Sequence, residues 1–325
     1  MNRGSGLCSS ILDAMSWTPL VDLKRLVERR RLEGRVLAKC DFLLPGAAKK
    51  DRIALEMVED AEASGELKPG QAVVELTSGN TGIGLAIVCA VKNHPFVAVM
   101  SKGNSVERAR MMKALGAELA LIDQAPGSRP GQVSGEDLRL VEEAAQRIVR
   151  ERGAFRADQF SLDGAVSVHY KHTGPEFWEQ SGGTINAFCD FAGTGGTFTG
   201  TAQYLKEKSP SIRCYVIEPE GAAALAGSDV VRPGHRIQGG GYSRKRENLK
   251  HFDPAICDGY MTVSDDVSIA TARELATVEG IFAGFSSGAN VASALALLEG
   301  PCRGQTVACV ICDSGLKYLS TDLWE

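Results

Sequence analysis

Residues 72–92 read AVVELTSGNTGIGLAIVCAVK, and this stretch decides the fold. Its first five residues are apolar apart from Glu75 and include the β-branched Val73 and Val74, the composition of a short buried strand. From Thr81 the apolar and small residues run on without proline, which predicts a buried helix over 81–92. Between them lies Thr77-Ser78-Gly79-Asn80-Thr81-Gly82, a glycine and hydroxyl loop joining strand to helix. Outward from it, residues 96–100 (FVAVM) and 118–122 (ELALI) read as further short buried strands. Residues 105–115 read as the helix between them, with Gly116 as C-cap. Asn104 and Glu107 have the spacing of a capping box at its start. The same signals return later, with strands at 185–191, 212–218 and 306–312 and helices at 197–208, 266–279 and 289–298. Residues 53–64 and 136–152 are helical in pattern, and 124–135, rich in Gly, Pro and Ser, is a loop. Strand–helix–strand alternation implies right-handed crossovers and parallel sheets. Its recurrence on both sides of that loop predicts two α/β lobes.

The chain has 325 residues, enough for one or two domains with a sizeable core. Its 44% hydrophobic and 23% charged content excludes general disorder. A net charge of −4 argues against a nucleic-acid partner, which calls for a basic footprint. Arg29-Arg30-Arg31 reads as a solvated helix face. Nine cysteines are too few for a disulfide scaffold and cannot all pair. Cys89, Cys189, Cys309 and Cys312 lie in apolar runs, as buried thiols of a reducing compartment do. The uncharged stretch 280–298 is interrupted by Ser286, Ser287, Asn290 and Ser293, so no membrane span is expected. With no basic start and apolar core over residues 1–17, no signal peptide is expected either, and the predicted location is cytoplasmic.

Two further glycine-rich loops are placed between strand and helix. Gly193-Thr194-Gly195-Gly196-Thr197 suits an anion, because glycines allow close backbone approach and the helix start offers free N–H groups. It lacks the lysine of a P-loop and matches the dinucleotide fingerprint poorly. Gly284-Phe285-Ser286-Ser287-Gly288 has the nucleophile-elbow spacing, yet a hydrolase needs its histidine after the serine. His94, His169, His172, His235 and His251 all precede Ser286, so that reading fails. No metal-ligand motif is present, and no metal is expected. The remaining candidate is Lys49-Lys50-Asp51-Arg52 at a helix start. Either the two lysines are solvated, or one is buried and forms a Schiff base with an aldehyde cofactor.

The order K-D-R, T-S-G-N-T-G, G-T-G-G-T, S-S-G resembles the cysteine synthase and cystathionine β-synthase family of pyridoxal-phosphate enzymes, fold type II. The likeness begins at Thr18-Pro19-Leu20. It takes in Lys68-Pro69-Gly70, Glu107-Arg108 and Thr173-Gly174-Pro175-Glu176, and ends at Asp313-Ser314-Gly315 and Tyr318-Leu319-Ser320-Thr321. The resemblance implies two doubly wound α/β lobes of the tryptophan synthase β-like kind. Residues 1–46 with 155–325 would form the large cofactor-binding domain, and 47–154 a small mobile domain that closes on substrate. It implies that Lys50 is the Schiff-base and catalytic lysine, with Lys49 standing where a small apolar residue is usual. Gly193, Thr194, Gly195, Gly196 and Thr197 match the phosphate cradle. Asn80 matches the partner of the ring oxygen, and Ser286 the residue facing the pyridine nitrogen. Thr77, Ser78, Thr81 and Gln159 match the grip on the substrate α-carboxylate.

The chain also departs from that family. Leu44-Pro45-Gly46-Ala47-Ala48 replaces polar residues ahead of the lysine, and Arg244-Lys245-Arg246 replaces an apolar segment after Ile237-Gln238. The loop at 124–135 is long. Neither a regulatory C-terminal module nor a haem-binding N-terminal segment is expected. The implied activity is β-replacement on an activated L-serine (O-acetyl-serine, O-phospho-serine or serine) through an α-aminoacrylate. Its partners would be an amino-acid donor and a nucleophile, in a homodimer. A specialised member that joins an amine or thiol to make a non-protein amino acid is the alternative within the class. A catalytically silent cofactor-binding protein is the alternative outside it.

Overall fold

The computed structural model describes residues 6–77, 79–128, 133, 135–232, 234–243 and 245–325. Ser78, Arg244 and part of the 124–135 loop, all singled out above, lie outside them. The chain divides into two compact units, Met1–Met15 with Lys50–Gly164 and Ser16–Lys49 with Ala165–Glu325.

The chain runs through β1 (Leu20–Asp22), α1 (Lys24–Arg29), β2 (Arg35–Lys39) and α2 (Lys50–Ser64). Then come β3 (Val73–Leu76), α3 (Asn80–Lys92), β4 (Phe96–Ser101), α4 (Val106–Ala114), β5 (Glu118–Ile122) and α5 (Gly135–Arg152). After β6 (Phe155–Arg156), α6 (Gly164–Val168) and α7 (Gly174–Gln180) come β7 (Ala187–Phe191), α8 (Gly196–Lys208) and β8 (Arg213–Pro219). The last elements are β9 (Gly259–Val263), α9 (Asp265–Glu274), α10 (Phe285–Glu299) and β10 (Thr306–Val310).

In the first unit the sheet order is β5-β4-β3-β6, with every pair parallel. Val74, Val97 and Val99 pack against Val141, Ala144 and Ala145 of α5. Alternate strand residues Val73, Ala98 and Met100 are buried too, and strand pleating sends them to the opposite face. Burial on both faces is why these strands read as continuous apolar runs.

In the second unit the order is β1-β2-β10-β7-β8-β9, parallel except for the β1–β2 pair. The chain moves outward through β7, β8 and β9, then returns to place β10 on the other side of β7. The β7–β10 junction is therefore a topological switch point, where open α/β sheets bind ligands beyond the strand carboxyl ends. The loop 192–195 leaves β7 there, and Asp313-Ser314 follows β10. Helix α10 packs on the sheet through Val291, Ala294, Leu295 and Leu298, in one core with Cys189, Val307 and Cys309.

The two α/β lobes and their alternation are as the sequence predicts. Several details differ. The N-cap of α4 is Ser105, whose hydroxyl accepts from the Arg108 N–H, not Asn104. Strand β5 is an edge strand, and Leu121 on it is exposed, so the buried strand expected there is only half covered. The helix expected over 266–279 is α9 followed by a π-helical turn at Leu275–Glu279. Helix α10 starts at Phe285, so the third loop is mostly helix and Ser286 sits in its first turn. Strands β1, β2, β6 and β9 had no reading at all, being short or lacking alternation.

Candidate active site

Lys50 opens α2 and is buried, as is Lys49 before it, so the solvated reading of these lysines fails. Gly84 on α3 makes the placement possible. A Cβ there would lie 3.0 Å from Ala54 Cβ, 3.1 Å from Asp51 Cα and 3.2 Å from the Lys50 carbonyl. Without it, α2 could not lie this close to α3, and the first turn of α2 would move with any larger residue.

The loop before α3 is organised by Thr77. Its hydroxyl accepts from the N–H of Gly79 at 3.0 Å and of Gly82 at 2.9 Å, capping the helix start. Gly79 has φ +142°, a conformation that glycine alone adopts without strain. Thr81 donates its hydroxyl to Gln159 Oε1 at 2.7 Å, and both residues are buried. This fixes the amide of Gln159, whose NH2 is the group able to donate to a carboxylate. Asn80, the first residue of α3, is half-buried. The first unit thus brings Thr77, Asn80, Thr81 and Gln159 to one helix end.

Below that loop, Glu75 on β3 is 1% exposed. Arg156 Nε lies 3.0 Å from its carboxylate, and Asp158 repels it. Burial outweighs the guanidinium, and the carboxyl is pushed up to about 8. An acidic residue in an apolar strand is the one trace of this arrangement in the sequence.

In the second unit, Gly195 (φ +88°) precedes α8 as a left-handed N-cap that makes no side-chain bond. A Cβ on Gly196 would collide with the Ala165 carbonyl, and one on Gly193 would sit 3.1 Å from the Gly239 carbonyl. The cradle therefore has backbone on its far sides at a helix start, where the Gly196 N–H donates to the Thr194 hydroxyl at 3.4 Å, and a phosphate suits such a helix start. Thr197 is positioned from behind. Its hydroxyl lies 3.2 Å from His169 Nε2, and His169 Nδ1 is 2.9 Å from the Thr173 hydroxyl. His169 and Thr173 bound a π-helical turn, and both are fully buried. Sequence reading passed over His169, using it only to exclude a hydrolase.

Ser286 is buried beside Ser287, whose hydroxyl accepts from the Cys312 N–H at 2.9 Å, and burial pushes the Cys312 thiol up to about 12. Lys49 belongs to this unit. Its ammonium donates to Asp190 Oδ1 at 2.9 Å and Oδ2 at 3.0 Å. Burial opposes its charge, but Asp190, with Cys312 and Asp41 beyond it, holds the ammonium above its ordinary range. Of the basic segment, Lys245 is exposed.

Lys50 at the start of α2 and the hydroxyl and amide pair at the start of α3 belong to the first unit, and the glycine loop at the start of α8 belongs to the second. Residues 11–313 match the family described as pyridoxal-phosphate dependent enzyme, and the chain belongs to it. It is a pyridoxal-phosphate-dependent enzyme of cysteine synthase-like type. The chain is 39% identical over 318 residues to a cysteine synthase of Staphylococcus aureus (strain Mu50 / ATCC 700699), covering 97% of each. It is 38% identical to the O-ureido-L-serine synthase of Streptomyces lavendulae, covering 98% of this chain and 93% of that one. A crystal structure of O-ureido-L-serine synthase superposes with TM-score 0.86 at 38% identity, covering 98% of this chain and 95% of that one. The cysteine synthase structure from Entamoeba histolytica gives TM-score 0.90 at 31% identity, covering 100% and 93%.

Proposed function

We propose that the protein replaces the leaving group on Cβ of an activated L-serine, such as O-acetyl-serine, O-phospho-serine or serine itself, with an incoming nucleophile. The observation that carries this reading is the Thr81–Gln159 pair at the start of α3. It fixes the Gln159 amide, whose NH2 is able to donate to an α-carboxylate. Cysteine and O-ureido-L-serine, the products named for the two relatives, are both alanines substituted at Cβ.

When bound, pyridoxal phosphate supplies an electron sink for charge that develops at Cα. Lys50 carries the cofactor, takes the proton from Cα and later returns it. Gly193, Thr194, Gly195, Gly196 and Thr197 hold the phosphate, and Asn80 donates to the ring oxygen. Ser286 faces the ring nitrogen as a neutral partner, a choice that favours elimination at Cβ over routes needing a fully protonated ring. Thr77, Ser78, Thr81 and Gln159 hold the α-carboxylate, and the unit that carries them moves to exclude water once it is held. Exposed Leu43, Leu316 and Leu319 supply apolar surface for a homodimer. Free cysteines throughout support a reducing, cytoplasmic location.

A matrix of donors against sulfide, thiol and amine nucleophiles, read by mass spectrometry, tests the reading. A β-substituted alanine from at least one pair supports it, and the productive nucleophile decides between a cysteine synthase and a specialised enzyme. No product from any pair, with no change in the cofactor spectrum, leaves the silent cofactor-binding protein.

A further inference from the structure

Residues 239–241 are consecutive glycines to which the β-replacement reading gives no part. They lie in the second unit with the cradle and Ser286. The Gly241 N–H donates to the Ala192 carbonyl at 2.8 Å, which moors the segment to the loop leaving β7. Gly240 presses on the same loop: a Cβ there would lie 2.5 Å from the Ala192 oxygen and 2.9 Å from the Phe191 ring. Gly239 spans the gap between cradle and serine. Its carbonyl would lie 3.1 Å from a Cβ on Gly193. A Cβ of its own would meet Ser286 Oγ at 3.7 Å and, among the described residues outside its chain neighbours, nothing else within 4 Å. The segment therefore runs from the cradle to Ser286, with room beside the serine where a side chain would stand.

His235 holds this segment in place. Its Nε2 is 2.8 Å from the Gly241 carbonyl, and a carbonyl only accepts, so Nε2 carries the hydrogen and donates it. The ring also packs on Gly241, where a Cβ would lie 2.7 Å from Nε2 and 2.5 Å from Pro219 Cγ. Nδ1 is buried with no hydrogen-bond partner among the described residues, so the ring acts through Nε2 alone. The chain beside His235 is anchored. The Arg236 N–H donates to Asp265 Oδ1 at 3.0 Å, and Ile237 is buried in the core under the sheet.

We propose that His235 is a positioning residue: through the Gly241 carbonyl it holds residues 239–241 as one wall of the cofactor slot. This rests on the assignment of residues 193–197 to the phosphate and of Ser286 to the ring nitrogen. A wall without side chains lets backbone lie against a flat ring, but it has no packing of its own to fix it. Glycine loses more conformational freedom on ordering than any other residue, and the His235 bond offsets that loss.

The test joins amide hydrogen exchange, read by mass spectrometry, to cofactor affinity from fluorescence titration of the reconstituted apoprotein. In the parent, adding pyridoxal phosphate should slow exchange at residues 239–241. His235→Leu should speed their exchange in holoenzyme and weaken cofactor affinity about tenfold, the scale of one hydrogen bond. A glutamine amide reaches the position of Nε2 and an asparagine amide only that of Nδ1. His235→Gln should therefore recover affinity, and His235→Asn should not. A histidine that only braces the fold lowers the unfolding temperature of His235→Leu and leaves its cofactor affinity at the parental value, and that outcome overturns the proposal. Exchange that ignores the cofactor in the parent, or equal recovery by Gln and Asn, overturns it too. Should His235→Leu not fold, Gly240→Ala lifts the segment off Ala192 with His235 intact and should give the same two changes. Gly196→Ala reports separately on the cradle beneath. If it keeps parental affinity, residues 193–197 do not hold the phosphate, and the proposal falls with that reading. If it weakens affinity while His235→Leu and Gly240→Ala do not, the cradle stands and the role of His235 alone is rejected.

Discussion

The proposal that Lys50 and not Lys49 carries the cofactor turns on what surrounds Lys49. Lys49 is neutralised by Asp190 at 2.9 Å and held protonated, so it is a poor nucleophile toward an aldehyde. Lys50 starts α2 on the far side of the unit boundary, outside that ion pair. Borohydride reduction of holoenzyme followed by peptide mapping should find the pyridoxyl group on Lys50. Lys50→Ala should lose the visible cofactor band and turnover by at least about a thousandfold, the scale on which removing a covalent-catalysis residue acts. Lys49→Met should keep a covalent adduct. A pyridoxyl group on Lys49 would reject the assignment and move the lysine motif by one residue.

At the scale of elements, what matters is how closely backbone can come to backbone. Helix α8 begins against α6 only because Gly196 has no Cβ to meet the Ala165 carbonyl. Gly196→Ala should therefore shift the helix start, costing roughly 1–3 kcal/mol of stability. Cofactor affinity should fall at least about tenfold, measured by fluorescence titration of the reconstituted protein, and parental affinity would show that the cradle lies elsewhere. Strand β3 supplies a different test. Glu75 has a folded value of about 8 against an ordinary 4.5, so the folded state binds its proton more tightly. Its contribution is fully present below pH 4.5 and is lost as pH rises through 8, a loss on the order of a few kcal/mol. The urea midpoint of the parent relative to Glu75→Gln should fall across that window and level off above it. A difference that is flat with pH would mean that Arg156 keeps Glu75 ionised throughout. The strand carrying Glu75 was plain in the sequence, and its protonation was not. Period and composition mark a buried strand, but they do not report that the nearest cation is shared with Glu142. The same limit hid His169 and Asn290, polar residues inside apolar or helical runs whose partners are far along the chain.

For the whole molecule, the legible part was the alternation that builds two parallel sheets, because strands covered on both faces leave unbroken apolar runs. The unread strands show the converse. β1 and β6 span three and two residues, too few for any period to register. Motif order picked out Thr77, Asn80, Gly193 and Ser286 as candidates without geometry, whereas the Lys49–Asp190 pair joins residues 141 apart and needed the fold. Burial also makes a statement about every thiol at once. All nine cysteines are free; Cys8 is exposed, Cys257 is half-buried and the remaining seven are buried. Burial pushes Cys40, Cys89, Cys214 and Cys312 up to about 12, and Cys189 and Cys309 are raised as well. A thiol needs both access and thiolate character to react. Titration of native protein with an aromatic disulfide at neutral pH should therefore show one fast thiol, abolished by Cys8→Ser, and one slow thiol at Cys257. The other seven should react only as the protein unfolds, so their rate across a urea series should follow the loss of tertiary signal. Fast labelling of three or more thiols in native protein would mean that the β7–β10 core, where Cys189 lies opposite Cys309, opens well below the global transition.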